Sequence, residues 1–352
     1  MKFDVFLPSL LVSPDWFADS RPPRLPAIEA LLAHGVSRAG AEWPNVLLPA
    51  FGVSDMDHSD HSHPLAALTA HGDNIVTGSY GWMFAEPAHF QADRDTINLF
   101  PSSHLDITTG EAAQLIDALN TNFEDRGLTF SRGASGHWYV CCDVQELPQT
   151  TSIRAAQRGA VFEKLPKSNG RLSWKAIQNE AQMLLHSHAV NEQREAIGKL
   201  TINGLWFWGE GVLPETPIGE QSNAGAVFGD TALPKGLAKW GGTRFVPLDQ
   251  LDIVNTTSLA DHNLIVLETL GIFHERGDIE GWREAALRLD SQIFAPLLAS
   301  LRTGAINEVI FTLPRDRDSL VVAIAAQSLR GVSGWWKNLS QRPRPFLESV
   351  RA

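Results

Sequence analysis

Hydrophobic and polar positions along this chain alternate between a helical and a strand period. Residues 2–12 form an apolar run interrupted at Pro8 and read as a buried first strand. Leu25 to Gly35 has helical spacing and a glycine stop, and Pro64 to Gly72 reads as a short helix. From Gly81 the pattern changes. Phe84 to Phe90 and Thr96 to Phe100 look like short strands separated by polar residues. Thr109 to Gly127 is an amphipathic helix with a threonine cap and a glutamate in its first turn. Leu128–Phe130 and Trp138–Val144 read as strands able to pair across the Arg132–Gly136 turn. Residues 145–170 are loop-rich.

The most informative stretch runs from Trp174 to Gly211. A helix-period segment places Asn179, Gln182 and His186 on one face, and a turn follows with His188, Asn191 and Arg194. An apolar run, Leu200 to Trp208, then closes in Gly209-Glu210-Gly211. A glycine loop at the carboxyl end of a strand is where open α/β sheets hold ligands. Beyond it, 212–229 is a Gly/Pro-rich loop, and Asn263–Leu270 and Asn307–Leu313 read as buried strands. Between them Asp278 to Thr303 reads as one long helix with Pro296 as a kink point. Residues 318–330 read as strand or helix, and a basic tail follows.

Strands alternate with helices at both chain ends, which predicts an α/β core with a mostly parallel central sheet. The core is expected over 1–84 and 171–352, with an inserted α+β subdomain at 85–170. Composition adds constraints. The 352 residues are 43% hydrophobic and 20% charged, a globular balance. A net charge of −11 argues against a nucleic-acid partner, since phosphate binding needs a basic surface. The two cysteines, Cys141 and Cys142, are adjacent in an apolar run, so a disulfide framework and metal-type cysteine spacing are excluded. Asp4 and Pro8 make the N-terminus a strand and not a signal peptide. With no long apolar run for a membrane span, a cytoplasmic location is expected.

Several places carry candidate chemistry. The loop from Asp55 to His63 holds Asp57, His58, His61 and His63, donors suited to zinc or another divalent ion, and Ser54 and Ser59 are candidate nucleophiles there. The reading that outweighs it is a solvated, flexible polar loop, since nothing distant in sequence fixes a ligand geometry there. His274, Arg276 and Asp278 follow a buried strand, where a ligand site and a helix cap compete as explanations. Arg315-Asp316-Arg317-Asp318 follows another, as a site or as surface ion pairs. In the central stretch, Arg194 near a glycine loop suits a phosphate or carboxylate, and a buried Asn203 needs partners.

The run His188-Ala189-Val190-Asn191, Arg194, Gly198, Asn203 and Trp208-Gly209-Glu210-Gly211 resembles a hallmark of archaeal-type cofactor-independent phosphoglycerate mutases. That family carries H-P-x-N-x-x-R-x-x-x-G, an A-N dipeptide and an R-G-x-G loop. Here Ala189 replaces its proline and Trp208 its arginine. The whole chain is also similar to a bacterial family of phosphoglycerate-mutase-like, or Rpf E-type, regulatory proteins. The resemblance implies an alkaline-phosphatase-like three-layer sandwich with two metal ions and a Ser or Thr nucleophile at strand ends. Three expected ligand stations differ. Pro8-Ser9 stands for Asp-Gly, His274–Asp278 for D-x-x-G-H, and Thr312–Ser319 for D-H-S/T.

Two functional readings follow. In the first, the two-metal site is degraded, no cofactor is bound, and the protein is a non-catalytic binding or regulatory protein. It would hold a small phosphorylated or carboxylate ligand through Asn191, Arg194, Asn203, Trp208, Gly209, His186, His188 and Arg276, with no nucleic-acid or membrane partner. A protein partner would dock on the basic tail around Trp335–Arg344. In the second, the protein is an active phosphomutase or phosphatase. Manganese or zinc would be held by Asp57, His58, His61, His63, His274, Asp278, Asp316 or Asp318, with Ser54 or Ser59 as nucleophile.

Overall fold

The computed structural model describes residues 1–17, 21–40, 64–93, 96–157, 161–213, 225–255, 259–315 and 318–330. The chain divides into two compact units. One is Met1–Ser54, Pro217–Pro234 and Gly241–Ala352; the other is Asp55–Thr216 and Lys235–Trp240.

The first unit opens with β1 (Lys2–Phe6), α1 (Pro26–His34) and β2 (Val36–Gly40). The chain then builds the second unit from α2 (Leu65–Gly72), β3 (Gly81–Asp93), β4 (Thr96–Pro101), α3 (Thr109–Phe123), β5 (Thr129–Arg132) and β6 (Trp138–Cys142). The same unit continues with α4 (Ile153–Ala156), α5 (Trp174–His186), α6 (Ala189–Ala196) and β7 (Gly204–Val212). Next come β8 (Ala226–Gly229), α7 (Ala232–Trp240), β9 (Arg244–Pro247) and β10 (His262–Val266). The chain closes with α8 (Thr269–Glu275), α9 (Ile279–Leu289), α10 (Ala295–Thr303), β11 (Glu308–Pro314), β12 (Ser319–Ala325) and α11 (Ala326–Arg330).

The first unit holds a seven-stranded sheet in the order β2-β12-β11-β1-β10-β8-β9. Strands β11, β1, β10, β8 and β9 run parallel, and β12 is antiparallel to both of its neighbours. Parallel strands are covered on both faces, so their sequences read as near-continuous apolar runs. Accordingly Phe3, Val5, Phe6, Leu264, Ile265, Val266, Val309 and Phe311 are all buried. One face packs on Leu31 of α1, Trp282 of α9, Phe294 between α9 and α10, and Leu297 of α10.

The long helix expected over 278–303 is interrupted by a π turn, Asp290–Phe294, directly ahead of Pro296. Proline has no N–H for the bond to the fourth preceding carbonyl, and a widened turn absorbs the loss. The buried Asp290 carboxylate in that turn accepts from the Ala27 and Ile28 N–H groups at 3.2 and 2.9 Å. It thereby satisfies the start of α1, whose Leu25 cap position offers no side-chain acceptor.

The second unit is built on an antiparallel sheet, β4-β3-β6-β5, with β7 on β3. The two strands expected over 84–90 and 96–100 are β3 and β4, and β3 is longer than expected, one continuous strand of 13 residues. Its length lets it pair β6 near its start, β4 near its end, and β7 along its other edge. Helix α3 starts on the predicted capping box, with Thr108 and Glu111 bonding each other's backbone. Its Leu115, Leu119 and Phe123 pack with Trp174, Ile177 and Leu185 of α5 under the sheet. The subdomain drawn at 85–170 thus falls short of this unit. Pairing with β3 brings β7 into the antiparallel sheet, and α5 packs beneath it.

Candidate functional site

The central stretch meets a different fate from a ligand loop at the carboxyl end of a parallel strand. Gly209, Glu210 and Gly211 lie inside β7, which runs antiparallel to β3. The pairing register shifts between Trp82 and Phe84, so the strand bulges at this point, and Gly209 takes φ 71°. A left-handed glycine at such a shift is the signature of a β-bulge. Asn179, Gln182 and His186 are exposed on α5.

The polar residues after α5 hold this segment together. His188 caps α6, its Nδ1 accepting from the Val190 N–H at 3.2 Å. Asn191, 1% exposed, donates to the carbonyls of Leu185 at 2.7 Å and Ile202 at 2.9 Å. Its Oδ1 accepts from the Ile202 N–H at 2.7 Å. Arg194 is also 1% exposed. Its Nε donates to Leu200 O at 2.7 Å, its Nη1 to Glu111 Oε1 at 2.8 Å, and its Nη2 to Leu105 O. Burial raises the Glu111 carboxyl, but the Thr108 backbone and hydroxyl bonds and the Arg194 guanidinium together outweigh it and leave it below its ordinary value. Asn203 pairs through its amide with both the N–H and the C=O of Phe90, at 2.7 and 3.0 Å. Trp208 packs its ring 4.6 Å from Phe84, and its Nε1 is buried with no acceptor among the described residues.

The remaining candidates lie in the first unit. Asp278 caps α9 by accepting from the Gly281 N–H at 2.8 Å. His274 lies at the far end of α8, its ring 5.3 Å from Trp16, and Arg276 is exposed at that helix's C-terminus. The Arg315 N–H bonds Asp318 O at 2.8 Å between β11 and β12. Ser54, Asp57, His58, Ser59, His61, His63 and Asp316 lie outside the described residues, as does the Trp335–Arg344 tail.

The sequence reading marked Pro8-Ser9 after the first strand but missed Asp230, Thr231 and Glu268 at the carboxyl ends of β8 and β10. Ser9, just past β1, is buried with φ 62°, and its carbonyl accepts from Trp282 Nε1 at 2.8 Å. Past β10, the Glu268 carboxylate accepts from the Thr231 hydroxyl, which follows β8. Asp230 accepts from the Leu248 N–H at 3.0 Å. Counting residues from each strand end would have singled out Glu268. Among the described residues no group of three or more His, Cys, Asp or Glu is placed to hold a metal ion. A two-metal centre needs clustered carboxylates and histidines, and the described strand ends supply acids without a histidine.

No family model matches the chain. Three archaeal proteins named 2,3-bisphosphoglycerate-independent phosphoglycerate mutase are similar to it. The Methanosarcina barkeri protein is 26% identical over 59% of this chain and 56% of its own length. The second enzyme of that name from Methanothermobacter thermautotrophicus is 31% identical over 46% of this chain and 40% of its own. The chain thus spans about half the length of these two relatives. The Methanosarcina acetivorans protein is 22% identical over 83% of this chain and 78% of its own. The chain is a distant homologue of archaeal-type cofactor-independent phosphoglycerate mutases. A solved Pyrococcus horikoshii protein matches at TM-score 0.50 and 16% identity, over 92% of this chain and 87% of its own. The mixed α/β core with its mostly parallel sheet accordingly shares the fold of that protein. No helix among the described residues is long and apolar enough to cross a membrane.

Proposed function

We propose that this chain is a phosphoglycerate-mutase-like protein whose two-metal site is degraded, and that it acts as a binding or regulatory protein. One observation carries the reading. The carboxyl ends of β1, β10 and β11 bear Pro8-Ser9, Glu268-Thr269 and Arg315, where two-metal phosphoryl transfer calls for clustered carboxylates and histidines. Glu268 is engaged by Thr231. Among the described residues no three such donors come together, so no catalytic step is derived through a metal.

A second reading has its own support. His63 immediately precedes α2 in sequence, and the Pro64 cap position of that helix makes no side-chain bond to the first N–H groups. Uncapped N–H groups at a helix start suit an anion. An enzyme with Ser54 or Ser59 as nucleophile and Asp57, His58, His61 and His63 as ligands would use that end. Elemental analysis of the purified full chain decides between the two, with mutase and phosphatase assays in manganese. Stoichiometric metal, with turnover lost in Ser54→Ala or Ser59→Ala, would overturn the first reading. Absence of both metal and turnover would overturn the second.

A further inference from the structure

The stretch 161–175 runs against the charge of the chain around it. It holds Lys164, Lys167, Arg171 and Lys175 against Glu163 alone, in a chain of net charge −11. The structure fixes part of this stretch as a stiff platform within the second unit. The Glu146 carboxylate accepts from the Leu172 N–H at 2.7 Å and from Arg171 Nε at 3.3 Å. Trp174, fully buried, donates its Nε1 to the Glu146 carbonyl at 2.6 Å. Lys167 and Gln149 exchange two backbone bonds of 2.9 Å. The Gly170 backbone comes so close that a Cβ there would lie 2.4 Å from Glu146 Oε2.

The backbone is held, yet Lys167, Arg171 and Lys175 face water. The Arg171 side chain is 95% exposed. Lys167 and Lys175 are exposed and make no ion pair among the described residues. Phe162, 67% exposed, stands in the turn Val161–Lys164. Cations on a rigid loop lose little conformational freedom when they meet an anion, so such a surface is preorganised for binding.

We propose that this platform docks a short acidic segment of a partner protein, with an apolar side chain of that segment against Phe162. The size of the occupant follows from the charge distribution. At physiological salt, charges act over about 8 Å. A membrane surface or a nucleic-acid duplex reaches beyond the platform and meets the acidic remainder of the chain, which repels it. A narrow acidic segment touches the basic platform alone. Complementary charge of this kind raises the on-rate and selects the partner.

The test uses the full chain and a labelled oligoglutamate peptide carrying one central leucine, followed by fluorescence anisotropy at about 50 mM and about 300 mM salt. Saturable binding is expected at the lower salt and is weakened at the higher. The double variant Lys167→Glu/Lys175→Glu weakens it about tenfold or more. Lys199→Glu, an exposed site in the same unit away from the platform, changes it less than about twofold. Phe162→Ser weakens the leucine peptide and leaves an all-glutamate peptide unaffected. The proposal is overturned by absence of saturable binding, or by equal effects of the double variant and Lys199→Glu. Tighter binding to phosphatidylserine vesicles or to a single-stranded oligonucleotide overturns it too, by assigning the platform to another polyanion.

Discussion

Replacing Arg194 by Met separates a scaffold role from a ligand role. The guanidinium is buried and donates to two main-chain carbonyls, Leu200 O and Leu105 O, and to the Glu111 carboxylate. Methionine fills much of the side-chain volume and supplies no donor, so the loss is electrostatic in origin. Removing one partner of a buried ion pair costs about 3–5 kcal/mol. Glu111 keeps its Thr108 bonds and is 19% exposed, which favours the lower end. The two stranded carbonyls work in the other direction, since an unpaired buried acceptor costs about 1–3 kcal/mol. We expect a loss of about 3 kcal/mol in the second unit. Urea unfolding followed by tryptophan fluorescence reads the total. Hydrogen exchange at the Ile202 amide reads the segment itself, with protection falling about a hundredfold. The pH dependence checks the pair. Glu111 lies below its ordinary value when folded, so its stabilisation is present above the unfolded pKa of about 4.3 and is lost as pH falls through the folded value. The gap between the parent and Arg194→Met therefore narrows in acid. A loss under about 1 kcal/mol, together with loss of binding to inorganic phosphate, would refute the scaffold argument and restore Arg194 as an anion contact.

Asn191→Ala leaves Leu185 O, Ile202 O and the Ile202 N–H unpaired, and is expected to cost about 2–4 kcal/mol in urea unfolding. Gly209→Val forces a branched residue to φ 71° at the bulge with Phe84 Cδ2 3.0 Å from its Cβ, so a loss of about 2 kcal/mol or more is expected, against almost none for an alanine placed at the exposed Gln182 of α5. Burial raises the Asp290 carboxyl, with nearby Glu29 adding to the rise, against the pull of the Ile28 and Ala27 N–H bonds. The stability linked to its proton is then present below the unfolded pKa of about 3.9 and is lost as pH rises through the folded value. Thermal melts across this range should show the advantage of the parent over Asp290→Asn shrinking as pH rises, and an advantage that grows instead contradicts the assignment.

Much of the fold was legible because period and punctuation agreed. Thr108 and Glu111 announced α3, and the structure closes both bonds of the capping box. The apolar runs at 2–12, 263–270 and 307–313 lie on the adjacent parallel strands β1, β10 and β11. What misled was context invisible to a local pattern. The run Gly204–Trp208 is apolar enough for a parallel strand, but its partner β3 lies in an antiparallel sheet, and pairing is decided by residues more than a hundred positions apart. Pro87 lies inside the expected strand and in the β3–β7 pairing opposite Leu205.

The same context changes what the likeness to the mutases signifies. The matching polar residues, Asn191, Arg194 and Asn203, are the ones that here bond main-chain groups of their own unit. An asparagine joining Leu185 to Ile202 and an arginine joining Leu200 to Leu105 fix the path from α5 through α6 into β7. Such residues specify a fold whether or not a reaction takes place nearby, because an unpaired buried carbonyl is costly in an active and an inactive protein alike. Their match with the relatives therefore speaks for the architecture of this segment. The positions that bear on chemistry are the strand ends, where the described residues are Ser9, Glu268 and Arg315. A retained scaffold is what the proposed binding role requires. Metal content and turnover of the full chain, more than any further comparison of sequence, are what decide it.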